Sequence, residues 1–121
     1  MNALVPHRIG GKRIGGALAF ERRNPSDLSD TVSVTPEGDA ALLDAAVAAA
    51  SQAQPAWADA SPEFRGDVLD RAGALLMHRA EAVGELLSRE EGKTLAEGRG
   101  EVMRAARILR RGWTPESLRR V

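Results

Sequence analysis

Ser88-Arg89-Glu90-Glu91-Gly92-Lys93-Thr94-Leu95-Ala96-Glu97-Gly98-Arg99-Gly100-Glu101-Val102 carries a helix stop followed at once by a helix start. Gly92 comes after the apolar period of Val83, Leu86 and Leu87, where a residue at positive φ closes a helix C-terminus. Thr94 and Glu97 have capping-box spacing: the hydroxyl accepts the amide at the third helical position, and the carboxylate returns to the amide of the cap. Leu95, Val102, Ala106, Leu109 and Trp113 then recur as one face of a helix that runs from Thr94 to about Arg111. Gly98 and Gly100 weaken its first turns by roughly 1 kcal/mol each relative to alanine, which predicts close backbone packing at both positions.

Upstream of this junction, a third helix is predicted from Glu81 to Glu91. A second follows the Ser61 cap and Pro62, running to about His78 with Phe64, Val68, Leu69, Ala72, Leu75 and Leu76 at helical spacing. The first starts at an Asp39 cap and spans Ala40 to about Ala53, where Pro55 ends it. Its inner stripe is Leu43, Ala46, Val47 and Ala50. Thr31-Val32-Ser33-Val34 alternates as a strand, and Ala19 to Arg23 makes another that ends at Asn24-Pro25-Ser26-Asp27. Ile9-Gly10-Gly11-Lys12-Arg13-Ile14-Gly15-Gly16 suits a tight hairpin. It lacks the strand before and helix after that a dinucleotide loop needs, and no Ser or Thr follows its Gly-Lys as a nucleotide P-loop requires.

The composition bounds the function. At 121 residues the length allows one domain. Apolar residues are 43%, much of it alanine, and only Phe20, Trp57, Phe64 and Trp113 are aromatic, so the core is expected to be thin. Seventeen basic residues balance seventeen acidic ones, which removes the long-range argument for nucleic acid or an anionic membrane. The exception is the carboxyl-terminal run of Arg104, Arg107, Arg110, Arg111, Arg119 and Arg120 against Glu116 alone, read as a solvated or partner-facing surface. With no cysteine there is neither a disulfide framework nor a thiolate metal site. No leading basic and apolar signal and no apolar run near 20 residues is present. A cytoplasmic location without membrane attachment is the expectation.

The residues that might carry chemistry have plainer readings. His7 and His78 lie far apart in sequence with no cysteine or third histidine to complete a zinc set; His7 is expected in solvent and His78 at a polar helix end. Glu90 and Glu91 are adjacent, so on a helix they point about 100° apart and do not form an acid and base pair across one substrate. Glu97 is a capping residue. Nothing around Lys93 predicts the burial that a Schiff-base lysine needs. No catalytic, cofactor-binding or metal residue is assigned.

Glu90-Glu91-Gly92-Lys93-Thr94-Leu95-Ala96-Glu97, followed by Gly100-Glu101-Val102, resembles the segment joining two early helices in the aldehyde dehydrogenase superfamily. The resemblance extends through Pro55-Ala56-Trp57-Ala58, Asp44-Ala45-Ala46-Val47-Ala48-Ala49-Ala50 and Asn24-Pro25-Ser26-Asp27, covering residues 20 to 110. It implies an α/β fold, of which this chain is the amino-terminal part of the cofactor-binding domain: short edge strands followed by four helices. Residues 1–18 are then a mobile arm and short hairpin strand, and residues 19–121 the partial, truncated domain.

The activity implied is oxidation of an aldehyde to a carboxylic acid, in which a cysteine thiolate attacks the carbonyl, hydride passes to NAD or NADP, and water hydrolyses the thioester. The two motifs are most similar to members acting on small semialdehydes such as α-ketoglutaric semialdehyde. The catalytic cysteine, the general-base glutamate and the cofactor loop fall beyond the stretch matched, so no NAD or NADP site is expected in this chain alone. Some members also hold a monovalent cation between a helix carboxylate and strand carbonyls; Glu101 with the Arg22 and Arg23 carbonyls resembles that set.

From Arg110 to Ser117 the sequence departs from the family, which points to a disrupted gene, a frameshift or an annotation cut. Two functions follow: an inactive amino-terminal fragment of such a dehydrogenase, or a helical interaction module that self-associates or binds a full-length dehydrogenase through exposed helix faces. A small active enzyme is a third, disfavoured by the missing cysteine.

Overall fold

The computed structural model describes residues 3–16 and 19–111. Trp113, Glu116, Arg119 and Arg120 of the sequence reading lie outside them. Contacts divide the chain into two compact units, Met1–Asp59 and Ala60–Val121.

The first unit is organised on β5 (Asp27–Pro36). β4 (Ala19–Asn24) pairs with it antiparallel and β1 (Ala3–Leu4) parallel, giving the order β1-β5-β4. Between β4 and β5, Asn24 stands opposite Asp27, so Pro25 and Ser26 form a two-residue loop. The Asn24 side-chain oxygen accepts the Ser26 amide at 2.9 Å and the Asp27 carboxylate accepts the Ser29 amide at 3.0 Å, the short-range bonds that make Asn and Asp turn residues. β5 is longer than the four-residue strand expected from alternation. Its outer half, Asp27 to Ser29, is exposed and polar, so hydropathy alone does not mark it as strand. Val32 is 5% exposed and Pro36 is fully buried.

The stretch read as a mobile arm and hairpin contains β1, β2 (His7–Ile9) and β3 (Lys12–Ile14). β2 and β3 pair antiparallel through Gly10 and Gly11, both at positive φ (55° and 78°), as a type I′ hairpin demands.

α1 (Ala40–Asp59) begins at Asp39, whose carboxylate accepts the Leu42 amide at 2.8 Å. Pro55 lies inside α1 rather than ending it. Proline removes one helical hydrogen bond, to the carbonyl of Ser51. Both residues are exposed, so that carbonyl is open to solvent, and alanines on either side favour the helix. The expected inner stripe is also corrected. Leu43 is 65% and Val47 57% exposed; Leu42, Ala46 and Ala49 are the half-buried positions. Within its unit α1 meets β2, which explains why that side is the covered one.

The second unit is a three-helix arrangement about α4 (Leu95–Arg111), against which α2 (Pro62–His78) and α3 (Ala80–Glu91) both pack. The Ser61 hydroxyl accepts the Phe64 amide at 3.2 Å, with Pro62 at the first helical position. Val102 and Ala106 of α4 are 4% and 0% exposed. Glycines set the helix separations. A Cβ on Gly73 of α2 would come within 2.8 Å of the Ala106 carbonyl oxygen, and one on Gly84 of α3 within 3.0 Å of the Arg99 backbone. Gly98 faces Gly84 in return, as its low helix propensity suggested. Gly100 has open space around it, so the close packing expected there is absent.

No helix among the described residues is long and apolar enough to cross a membrane.

Candidate functional site

The α3–α4 junction is where the chain concentrates charge, and its geometry follows from two helix ends placed two residues apart. Gly92 closes α3 at φ 73°, its amide bonded to the Ser88 carbonyl at 2.8 Å. Thr94 then caps α4: its hydroxyl oxygen accepts the Glu97 amide at 3.3 Å, while the Glu97 carboxylate accepts the Thr94 amide at 3.0 Å and hydroxyl at 2.7 Å. The reciprocal cap read from sequence is thus present. Hydrogen bonds from Thr94, chiefly its hydroxyl, with Lys93 nearby, hold the Glu97 carboxyl below the usual carboxylate value. The Ser88 hydroxyl lies 2.9 Å from the Gly84 carbonyl oxygen and 3.1 Å from that of Thr94, linking the α3 body to the start of α4.

Lys93 projects between two carboxylates. Its Nζ is 2.8 Å from Glu101 and 2.6 Å from Glu91, with the side chain 17% exposed. The hydrogen bond to Glu101, then that to Glu91, raise its pKa above the ordinary 10.5. A lysine so held is an ammonium ion throughout the physiological range. It is a cross-brace from α3 to α4, and it lacks the lowered pKa of an amine nucleophile.

The positions singled out in the sequence are thereby placed. Glu91 and Glu101 converge on Lys93, and Glu97 is engaged at Thr94. Glu101 faces a protein ammonium here, and Arg22 and Arg23 belong to the other unit. His78 ends α2 exposed. His7 is half-buried rather than solvent-exposed, and its Nε2 is buried with no hydrogen-bond partner. With Arg8, Gly38, Asp39 and Leu42 it borders a cavity of about 570 Å³ beside the start of α1. Sequence gave no sign of this, because the hollow exists only once the β2–β3 hairpin lies alongside α1. Among the described residues, no group of three or more His, Cys, Asp or Glu is placed to hold a metal ion.

A junction that spends its charges on its own helix ends is a structural device, so what it belongs to is decided by likeness over the whole chain. Residues 15–116 match the Aldehyde dehydrogenase family. The chain belongs to the aldehyde dehydrogenase family. Among its relatives, this aldehyde dehydrogenase chain is 34% identical over 112 residues to the human mitochondrial methylmalonate-semialdehyde/malonate-semialdehyde dehydrogenase [acylating], covering 91% of the chain and 21% of the human protein. It is 36% identical over 87 residues to the α-ketoglutaric semialdehyde dehydrogenase of Bacillus subtilis strain 168, covering 72% of the chain and 18% of that protein. Its structure superposes on the crystal structure of an NAD-dependent aldehyde dehydrogenase from Sinorhizobium meliloti with a TM-score of 0.90 and 25% identity, over 98% of this chain and 24% of that one. The match falls in the amino-terminal region of the family fold, with its short strands and four helices. The chain spans about a fifth of the length of the curated relatives it matches.

Proposed function

We propose that the chain is an amino-terminal structural segment of the cofactor-binding domain of an NAD- or NADP-linked dehydrogenase, one that oxidises a small semialdehyde bearing a second carboxylate, and that these 121 residues are catalytically silent alone. The observation that carries the second part is the α3–α4 junction. Its one buried-side amine, Lys93, is fixed as a cation by Glu91 and Glu101, and Glu97 is committed to capping. The chain also has no cysteine to act as a thiolate nucleophile. The substrate class rests on the names of the human and Bacillus relatives, both of which specify semialdehydes of dicarboxylic acids.

The test is to incubate the purified chain with α-ketoglutaric, succinic and malonic semialdehydes and either NAD or NADP, following reduced nicotinamide by absorbance. No reduction above the protein-free rate is expected. Saturable, aldehyde-dependent turnover by the pure chain would overturn the reading.

A second reading, an interaction module, is favoured by one observation: no residue of the 20-residue α1 is buried.

A further inference from the structure

α1 carries an uncovered stripe. Leu43, Val47, Ala50, Gln54 and Trp57 follow one another at intervals of four, three, four and three, which keeps them on one side of a helix. All five are exposed, Leu43 by 65%, Val47 by 57% and Trp57 by 40%. Asp44 and Asp59 are the helix's only charged residues, and it has no basic one. A solvent-facing helix of this length ordinarily carries a charged outer face. The side of α1 that meets β2 is a different one, marked by Leu42, Ala46 and Ala49.

What covers the stripe is indicated by the structural likeness. This chain takes, over 98% of its length, the shape of a segment that makes up 24% of the Sinorhizobium meliloti enzyme. The shape is therefore one that exists in contact with three times as much further polypeptide. We infer that the Leu43–Val47–Trp57 stripe of α1 is a docking surface for the portion of an aldehyde dehydrogenase fold that this chain does not span. The inference rests on the function proposed above and names the partner of that segment. It buries three large apolar side chains, of the kind that anchor an interface core.

The absence of cysteine supplies the probe. Val47→Cys puts a unique thiol on the stripe, and Gln52→Cys, nine positions or about two and a half turns from Leu43, puts one on the far side. Each variant is co-expressed with the part of the Bacillus subtilis relative that this chain does not match. Captured complex and isolated chain are treated with a thiol reagent, and labelling of the 121-residue chain is read by mass. Burial in an interface core is expected to slow labelling of the position-47 thiol by about tenfold or more in the complex. The position-52 thiol keeps its rate, and Leu43→Asp abolishes capture.

Failure to capture the partner overturns the surface, as does equal labelling at position 47 in complex and isolated chain. Protection that rises with concentration of the isolated chain overturns it in favour of a second copy. A captured complex that reduces NAD or NADP while position 47 stays fully reactive overturns this surface but leaves the proposed function standing. Turnover by the chain alone has the opposite meaning.

Discussion

At Gly84 a single added methyl group would lie 3.0 Å from the Arg99 backbone, and at Gly98 it would meet the Ser88 hydroxyl and the Gly84 carbonyl. Helix backbone cannot yield as a flexible side-chain tip can, so Gly84→Ala and Gly98→Ala are each expected to destabilise the second unit by about 1–3 kcal/mol. Gly100→Ala, with nothing near it, is expected to stabilise by about 0.5–1 kcal/mol through helix propensity. Urea unfolding followed by circular dichroism reads all three. A loss at Gly100 or a gain at Gly84 would contradict the packing described. The Thr94 cap makes a second residue-scale prediction. The folded-state pKa of Glu97 is depressed below its ordinary value of 4.5. The stability it contributes is therefore complete above that value and disappears as pH falls through the folded one. Thr94→Ala is expected to cost about 1 kcal/mol near neutral pH and to flatten this acid limb, which acid titration of the unfolding free energy would show. Lys93 has the opposite sign: with its pKa raised above 10.5, its contribution holds below that value and is lost as pH rises through the folded one.

The helices show how far local chemistry determines an element. Caps at Asp39, Ser61 and Thr94 and the stop at Gly92 were legible because each depends on hydrogen bonds or φ within three or four residues. Pro55 was misread because whether proline ends a helix depends on what surrounds the freed carbonyl, which is not a local property of sequence. Pro55→Ala restores the missing bond and is expected to raise the stability of α1 by up to about 3 kcal/mol, seen as increased helical ellipticity and a higher thermal midpoint. The stripe of α1 was misassigned for a related reason. Periodicity finds an apolar side but does not say whether anything lies on it, so Leu43 and Val47 belong to a recognisable face that is open to solvent. The hollow beside His7 was beyond reach altogether, being made by two elements about thirty residues apart.

For the whole molecule the decisive quantity is how little is buried. Among the described residues, only Val32, Val102 and Ala106 are buried apolar positions, while Leu28, Leu43, Val47, Phe64, Leu75 and Ile108 are each more than 45% exposed. Exposed apolar surface on this scale is what a hydrophobic dye detects. The isolated chain is expected to enhance the fluorescence of anilinonaphthalene sulfonate without denaturant, and the Leu43→Asp variant less so. No enhancement would mean the apolar side chains are covered in solution. The family was legible in four short motifs because they sit at turns and caps, where few residue types serve, whereas the substrate was legible only through relatives, since every charge described at the junction is occupied in holding helices.

The parallel pairing of β1 with β5 has a consequence for the growing polypeptide. Ala3 and Leu4 are among the first residues synthesised, yet their partners are Ser33 and Val34. At roughly 5–20 residues per second, the leading strand waits about 2–6 s before its ladder exists. The β2–β3 and β4–β5 hairpins, closed through two-residue turns, assemble as soon as they emerge. The oldest part of the chain is thus the last of its sheet to be secured, and during that interval its backbone is available to whatever chaperone or neighbouring strand reaches it first.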